Sequence, residues 1–142
     1  MTYHHTQRGT LIVIVCLALA LIDAAIVWRV GQSSAAIPLI ALIAVAVVFS
    51  SLTVEVNGKE VRWYFGPGLW THRLPIDEIE TVAIARNQWW NGFGIRMRPG
   101  FRLYNVSGLD AVELRLKSGE IRRIGTDDTQ GLSAALRSQA GG

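Results

Sequence analysis

The chain has 142 residues, half of them hydrophobic, and a formal net charge of +3. That length holds about one ordinary domain, and so small a positive surplus does not imply a nucleic-acid partner. The single cysteine, Cys16, excludes an intrachain disulfide framework. Charge is unevenly spread. Before Leu52 the only charged side chains are Arg8, Asp23 and Arg29, which leaves 12 basic and 10 acidic residues behind it. An apolar anchor followed by a water-facing module has this profile, and its slight basic excess is compatible with lying near anionic lipid.

Residues 1–10 read as an N-terminal tail. Its His4-His5 pair has only His72 as a further imidazole and no H-E-x-x-H pattern, so a mobile tail is expected rather than a metal site. From Leu11 to Trp28 the chain is apolar apart from Asp23. At about 1.5 Å per residue such a helix spans roughly 27 Å, close to a bilayer's hydrocarbon thickness. A cleaved signal peptide is the competing explanation, but the run exceeds the usual apolar core and a second one follows at once. That second run, Ala35 to Leu52, carries no charge and has Pro38 where a first helical turn tolerates it. The expectation is a two-helix transmembrane hairpin over 11–52, joined by the short polar turn from Arg29 to Ser34. Two crossings put the N-terminus and the remainder of the chain in one compartment. Arg8, Lys59 and Arg62 on that side against Arg29 on the other favour the cytoplasm.

After Leu52 the hydrophobic period becomes two. Leu52, Val54 and Val56 alternate with polar residues, Asn57-Gly58 offers a hairpin turn tolerant of positive φ, and Val61, Trp63 and Phe65 alternate again. Further strands are expected around Trp70 to Leu74, Ile79 to Arg86, Phe101 to Val106, Ala111 to Leu116 and Glu120 to Ile124, about seven antiparallel strands in all. Between Gly125 and Ser138, Asp127 and Asp128 stand where a helix N-terminus favours negative charge, and Leu132, Ala135 and Leu136 recur at helical spacing. A mainly β domain over 53–142, closed by a C-terminal helix, follows.

The runs Asn91-Gly-Phe-Gly-Ile-Arg96, Leu103-Tyr-Asn-Val-Ser-Gly108, Ala111-Val-Glu-Leu-Arg-Leu-Lys-Ser-Gly119 and Ile124-Gly-Thr-Asp-Asp128 make the chain resemble bacterial pleckstrin-homology-like domains in small membrane proteins with two N-terminal transmembrane helices. The resemblance covers nearly the whole chain. It implies a PH-like fold tethered to the membrane, and it carries over no catalytic, cofactor or metal residues.

Two features bear on function. Asp23 is an intramembrane carboxylate, costly in lipid by roughly 2.5–3.5 kcal/mol, and either serves an ion path or is relieved near the helix end by headgroups or the polar turn. The segment from Arg86 to Arg102 interleaves Trp89, Trp90, Phe93 and Phe101 with Arg86, Arg96, Arg98 and Arg102, a mixture suited to seating rings at an interface while cations meet phosphates. The plainer alternative is aromatics filling the core beneath a wet arginine surface. No phosphate-binding glycine loop, G-x-S-x-G turn or cysteine cluster occurs, and Asp77-Glu78 and Asp127-Asp128 sit where element starts explain them. The expectation is a non-enzymatic, cofactor-free, membrane-anchored binding or scaffolding module that contacts lipid headgroups, another membrane protein or a second copy of itself. An accessory subunit of a transport or envelope complex is the alternative.

Overall fold

A computed structural model of the chain describes residues 2–31, 36–91 and 94–141. Among them the elements run β1 (Tyr3–Arg8), α1 (Thr10–Val30), α2 (Ala36–Val48), β2 (Ser51–Val56), β3 (Glu60–Phe65), β4 (Leu69–Pro75), β5 (Ile79–Arg86), β6 (Gly94–Arg98), β7 (Phe101–Asn105), β8 (Asp110–Leu116), β9 (Ile121–Gly125) and α3 (Thr129–Ala140). One sheet has the order β1-β2-β3-β4 and the other β5-β8-β9-β7-β6.

The segment expected as a tail is a strand. β1 pairs antiparallel with β2 from Tyr3 opposite Val56 to Arg8 opposite Ser51. Alternation turns Tyr3, His5 and Gln7 inward, and each finds a distant polar partner. The Tyr3 hydroxyl donates to Asp128 at 2.9 Å, His5 Nε2 lies 2.5 Å from Asp127 Oδ1, and Gln7 Nε2 donates to the Ser107 carbonyl at 2.9 Å. His4 points the other way, 3.6 Å from Glu55, so the adjacent imidazoles do not converge.

α1 leaves β1 after Gly9, and α2 returns to β2 through Phe49-Ser50. The helices are therefore continuations of two paired strands. The Gly9 amide donates to the Ser50 carbonyl at 2.8 Å, and a Cβ at Gly9 would overlap the Phe49 carbonyl oxygen. α1, with 21 residues, is about 31 Å long and is the one described helix long and apolar enough to cross a membrane. α2 has 13 residues, about 20 Å, so the expected second full-length span is corrected to a shorter apolar helix. The apolar run outlasts the helix because it continues into β2, where Leu52 is core rather than lipid-facing. Most of α1 is exposed, as are Leu39, Ile40, Ile43, Val45 and Val47 on α2.

The two sheets close over one core, in which Val54, Trp63 and Phe65 meet Tyr104, Val112, Leu114 and Ile124, with Leu132 and Leu136 of α3 completing it. Asp128 caps α3, its Oδ1 accepting from the Gly131 amide at 3.0 Å. Among the described residues there are nine strands rather than seven, β1 and β6 being the additions, and β7 pairs with β9 in parallel rather than antiparallel. The β2–β3 hairpin forms as expected, but not through positive φ. The Asn57 side-chain oxygen accepts from the amides of Lys59 and Glu60, both at 2.9 Å.

Because strand and helix meet at Gly9 with no room for a side chain, Gly9→Ala is expected to lower stability by about 1–3 kcal/mol through overpacking. Gly58→Ala, whose Cβ has only the Gln139 side chain in ordinary contact at 3.6 Å, should stay within about 0.5 kcal/mol. Denaturation midpoints of the detergent-solubilised full chain measure both.

Candidate functional site

β5 and β6 are the opposite edges of the second sheet, so the chain between them has to traverse it. Its described residues, 87–91, begin at the outer face, where Asn87 meets Arg123. Asn87 is buried, and its Oδ1 accepts from Arg123 Nη1 at 3.2 Å on the central strand β9. Its amide donates to the Leu109 carbonyl at 2.6 Å. The 106–109 turn also touches the foot of α1, through Val106 beside Gly9 and Ser107 bonded to Gln7. A short relay of contacts thus ties this crossing strap to the base of the helices.

On the strap Trp89 and Trp90 are 77% and 60% exposed, their rings edge to face at 5.9 Å. They do not fill the core, and the packing alternative fails for both. Phe93 lies outside the described residues. Of the expected arginines, Arg86 and Arg98 come together with Arg123, Gln88, Pro99 and Phe101 around an open pocket of about 400 Å³. Arg96 projects on the same outer face, since it pairs with Leu103, whose β9 neighbour is Arg123. Arg102 does not join them. It pairs with Arg122 on the inward-facing parity of the sheet, near His72.

The pocket floor is fixed. Arg123 donates through Nε to Glu113 at 2.7 Å and lies over the Phe101 ring at 5.3 Å. With Nε and Nη1 committed to protein partners, the guanidinium is oriented before any ligand arrives, which reduces the cost of ordering it on binding. Asp110 stands 4.0 Å from Arg86 and balances it only weakly, both being largely exposed. None of the six lining residues is acidic, so the chemistry on offer is hydrogen-bond donation to an anion. Phe101, named from the sequence, joins the pocket, whereas Arg123 and Gln88 escape the sequence-based site. The signal for Arg123 is the Arg122-Arg123 dipeptide, whose members take opposite faces of a strand.

Asp23 is half-exposed on α1, and none of the hydrogen bonds or ion pairs among the described residues involves it. Arg29 is six positions on, about 240° around the helix, so the two project from different faces. Among the described residues no group of three or more His, Cys, Asp or Glu is placed to hold a metal ion.

Comparison with protein-family models, curated proteins and solved structures finds no match to this chain.

His72 adds a pH-sensitive feature. Its ring stacks on Trp63 at 5.6 Å and meets Tyr104 at 4.7 Å; burial, with Arg122 and Arg102 nearby, holds its pKa below the usual imidazole value. Between the folded value and the unfolded value of about 6.5, the unfolded chain binds more protons. Stability from this site is complete above that unfolded value and is lost as the pH falls from there through the folded-state pKa. His72→Phe, which keeps an aromatic contact, should therefore show a smaller drop in denaturation midpoint between pH 7.5 and 5 than the native chain. Equal drops would contradict the assignment.

Proposed function

We propose that this chain is a membrane-anchored, PH-like binding module, held in the bilayer by α1 and α2 and using the Arg86–Arg98–Arg123 pocket and the Trp89-Trp90 strap to engage anionic lipid headgroups. The observation that carries the anchoring is the exposed apolar surface of the two helices. Burying one large aliphatic side chain is worth about 1.5–3 kcal/mol. More than ten such side chains are exposed on α1 and α2, so their summed cost in water exceeds the whole stability of an ordinary domain, about 5–15 kcal/mol. Lipid is the solvent that removes it. Against a cleaved signal peptide stands β1, which precedes α1 and is a paired strand of the folded sheet. Cleavage after α1 would strip the β2 edge.

The PH-like assignment is supported by two sheets enclosing one core with a helix at the C-terminal end; the parallel β7–β9 pair departs from an all-antiparallel pattern. The cytoplasmic side is favoured by Arg8, Lys59 and Arg62 on the domain side. Association rather than chemistry is the mode the pocket supports, since its six lining residues include no carboxylate, imidazole, thiol or hydroxyl. Trp89 and Trp90 fit beside it because an indole prefers the headgroup zone. One observation favours the alternative of a subunit in a larger membrane complex: Asp23, lacking a polar contact among the described residues, would be satisfied by a partner helix.

Two measurements test these proposals. In nanodiscs, spin-labelled phosphatidylglycerol should be held at the protein in preference to spin-labelled phosphatidylcholine. An arginine near an anionic surface is worth about 1 kcal/mol, so removing both in Arg86→Ala/Arg98→Ala should reduce that preference by roughly thirtyfold. An unchanged preference would remove the pocket from the mechanism. For the alternative, Asp23→Asn should shift the chain from a larger detergent-extracted complex to a smaller one. An unaltered sedimentation profile would contradict it.

A further inference from the structure

We propose that the tip of the β3–β4 hairpin, Pro67 to Trp70, is a second membrane contact, with the Trp70 indole seated in the lipid interface beside the foot of α2. This rests on the membrane anchoring proposed above and adds a surface that neither the helices nor the arginine pocket includes.

Backbone strain provides the first support. Trp70 has φ +47°, and among the described residues it is the one non-glycine in the left-handed region. The register explains how. Trp63 pairs with His72 and Phe65 with Leu69, so Trp70 and Thr71 together oppose Tyr64, and the extra residue forms a β-bulge. A bulge position with positive φ ordinarily takes glycine, which has no Cβ to clash. A tryptophan held there is disfavoured locally, and strain of this kind concentrates where a side chain has to be aimed.

The second support is where the ring is aimed. Trp70 is 58% exposed and Leu69 43%, and no residue from Phe65 to Thr71 is charged. The hairpin tip is also fixed against the helix. The Gly66 amide donates to the Ser51 carbonyl at 2.9 Å, and Gly66 approaches α2 so closely that a Cβ would come within 2.6 Å of the Val47 carbonyl oxygen. Phe49, the residue just after α2, packs on Phe65 at 5.4 Å and on Trp70 at 6.2 Å. The apolar surface of α2, with Val45 and Val47 exposed, therefore runs through Phe49 to Trp70 without a charged residue between. A surface continuous with a lipid-facing helix, ending in an amphipathic ring, fits the headgroup boundary.

The test uses the full chain labelled with 5-fluorotryptophan in lipid nanodiscs. Its five tryptophans, Trp28, Trp63, Trp70, Trp89 and Trp90, give separate fluorine resonances assigned by single Trp→Phe variants. Lipid carrying a nitroxide near the top of the acyl chain should broaden Trp28 and Trp70 and leave the core residue Trp63 sharp. Broadening of Trp28 with Trp70 as sharp as Trp63 would overturn the hairpin contact and leave the anchor intact. If Trp28 and Trp70 both stay sharp, the anchor and the contact fall together. A native Trp63 shift in the Trp70→Phe variant shows that the assignment is read from a folded chain.

Discussion

The antiparallel pairing of β1 with β2 governs the rest of the molecule. Arg8 and Ser51 face each other at the end of that pair, and each chain turns into a helix within a residue or two. Paired strands lie about 4.8 Å apart, whereas packed helices need 8–10 Å, so the chains must diverge sharply at this junction. Gly9 and the Phe49-Ser50 turn absorb that change, the Gly9–Ser50 hydrogen bond being the last rung of the ladder. The helical hairpin is thus an extended loop of a β-hairpin, and the domain has no linker across which it could swing freely from the helices.

From that rigidity the surroundings of the junction take their meaning. The Phe49 ring meets the β3–β4 tip at the foot of α2, and the 106–109 turn meets the foot of α1 at Gly9. The turn leads through Leu109 to Asn87 and the strap that carries Trp89 and Trp90. Trp70, Trp89 and Trp90 therefore sit on segments tied to the foot, while the charged ladder of Glu55, Arg62 and His4 covers the outer face of the first sheet. The arginine pocket opens on the outer face of the second sheet, its floor fixed by Glu113 and Asn87.

Much of this was legible because it is local. The Asn57 hairpin, the β5 and β8 strands and the Asp128 cap each depend on residues within a few positions of one another. β1 was not legible, since its inward residues are Tyr, His and Gln, and their partners lie 100 or more positions away. β6 is a five-residue edge strand, Gly-Ile-Arg-Met-Arg, whose alternation rests on Ile95 and Met97 alone, too short a pattern to stand out from the glycine-, aromatic- and arginine-rich segment around it. The end of α2 is overrun because a core strand and an exposed apolar helix are equally apolar, and composition alone does not mark where one gives way to the other. For the site, Arg86 and Arg98 were nameable from their aromatic neighbours. Arg123 reaches the pocket only through the β9 register, and Arg102 leaves it because it pairs with Arg122 on the opposite face.

Sidedness labelling of single cysteines in a Cys16→Ser background tests the central claim most directly. With thiols placed one at a time at Thr2, Val30 and Ser118 in intact cells, the β1–β2 pairing predicts that Thr2 and Ser118 react from the same side of the membrane and Val30 from the other. Thr2 and Ser118 reacting from opposite sides would mean that β1 cannot pair with β2 in the membrane, and would contradict the account at its root.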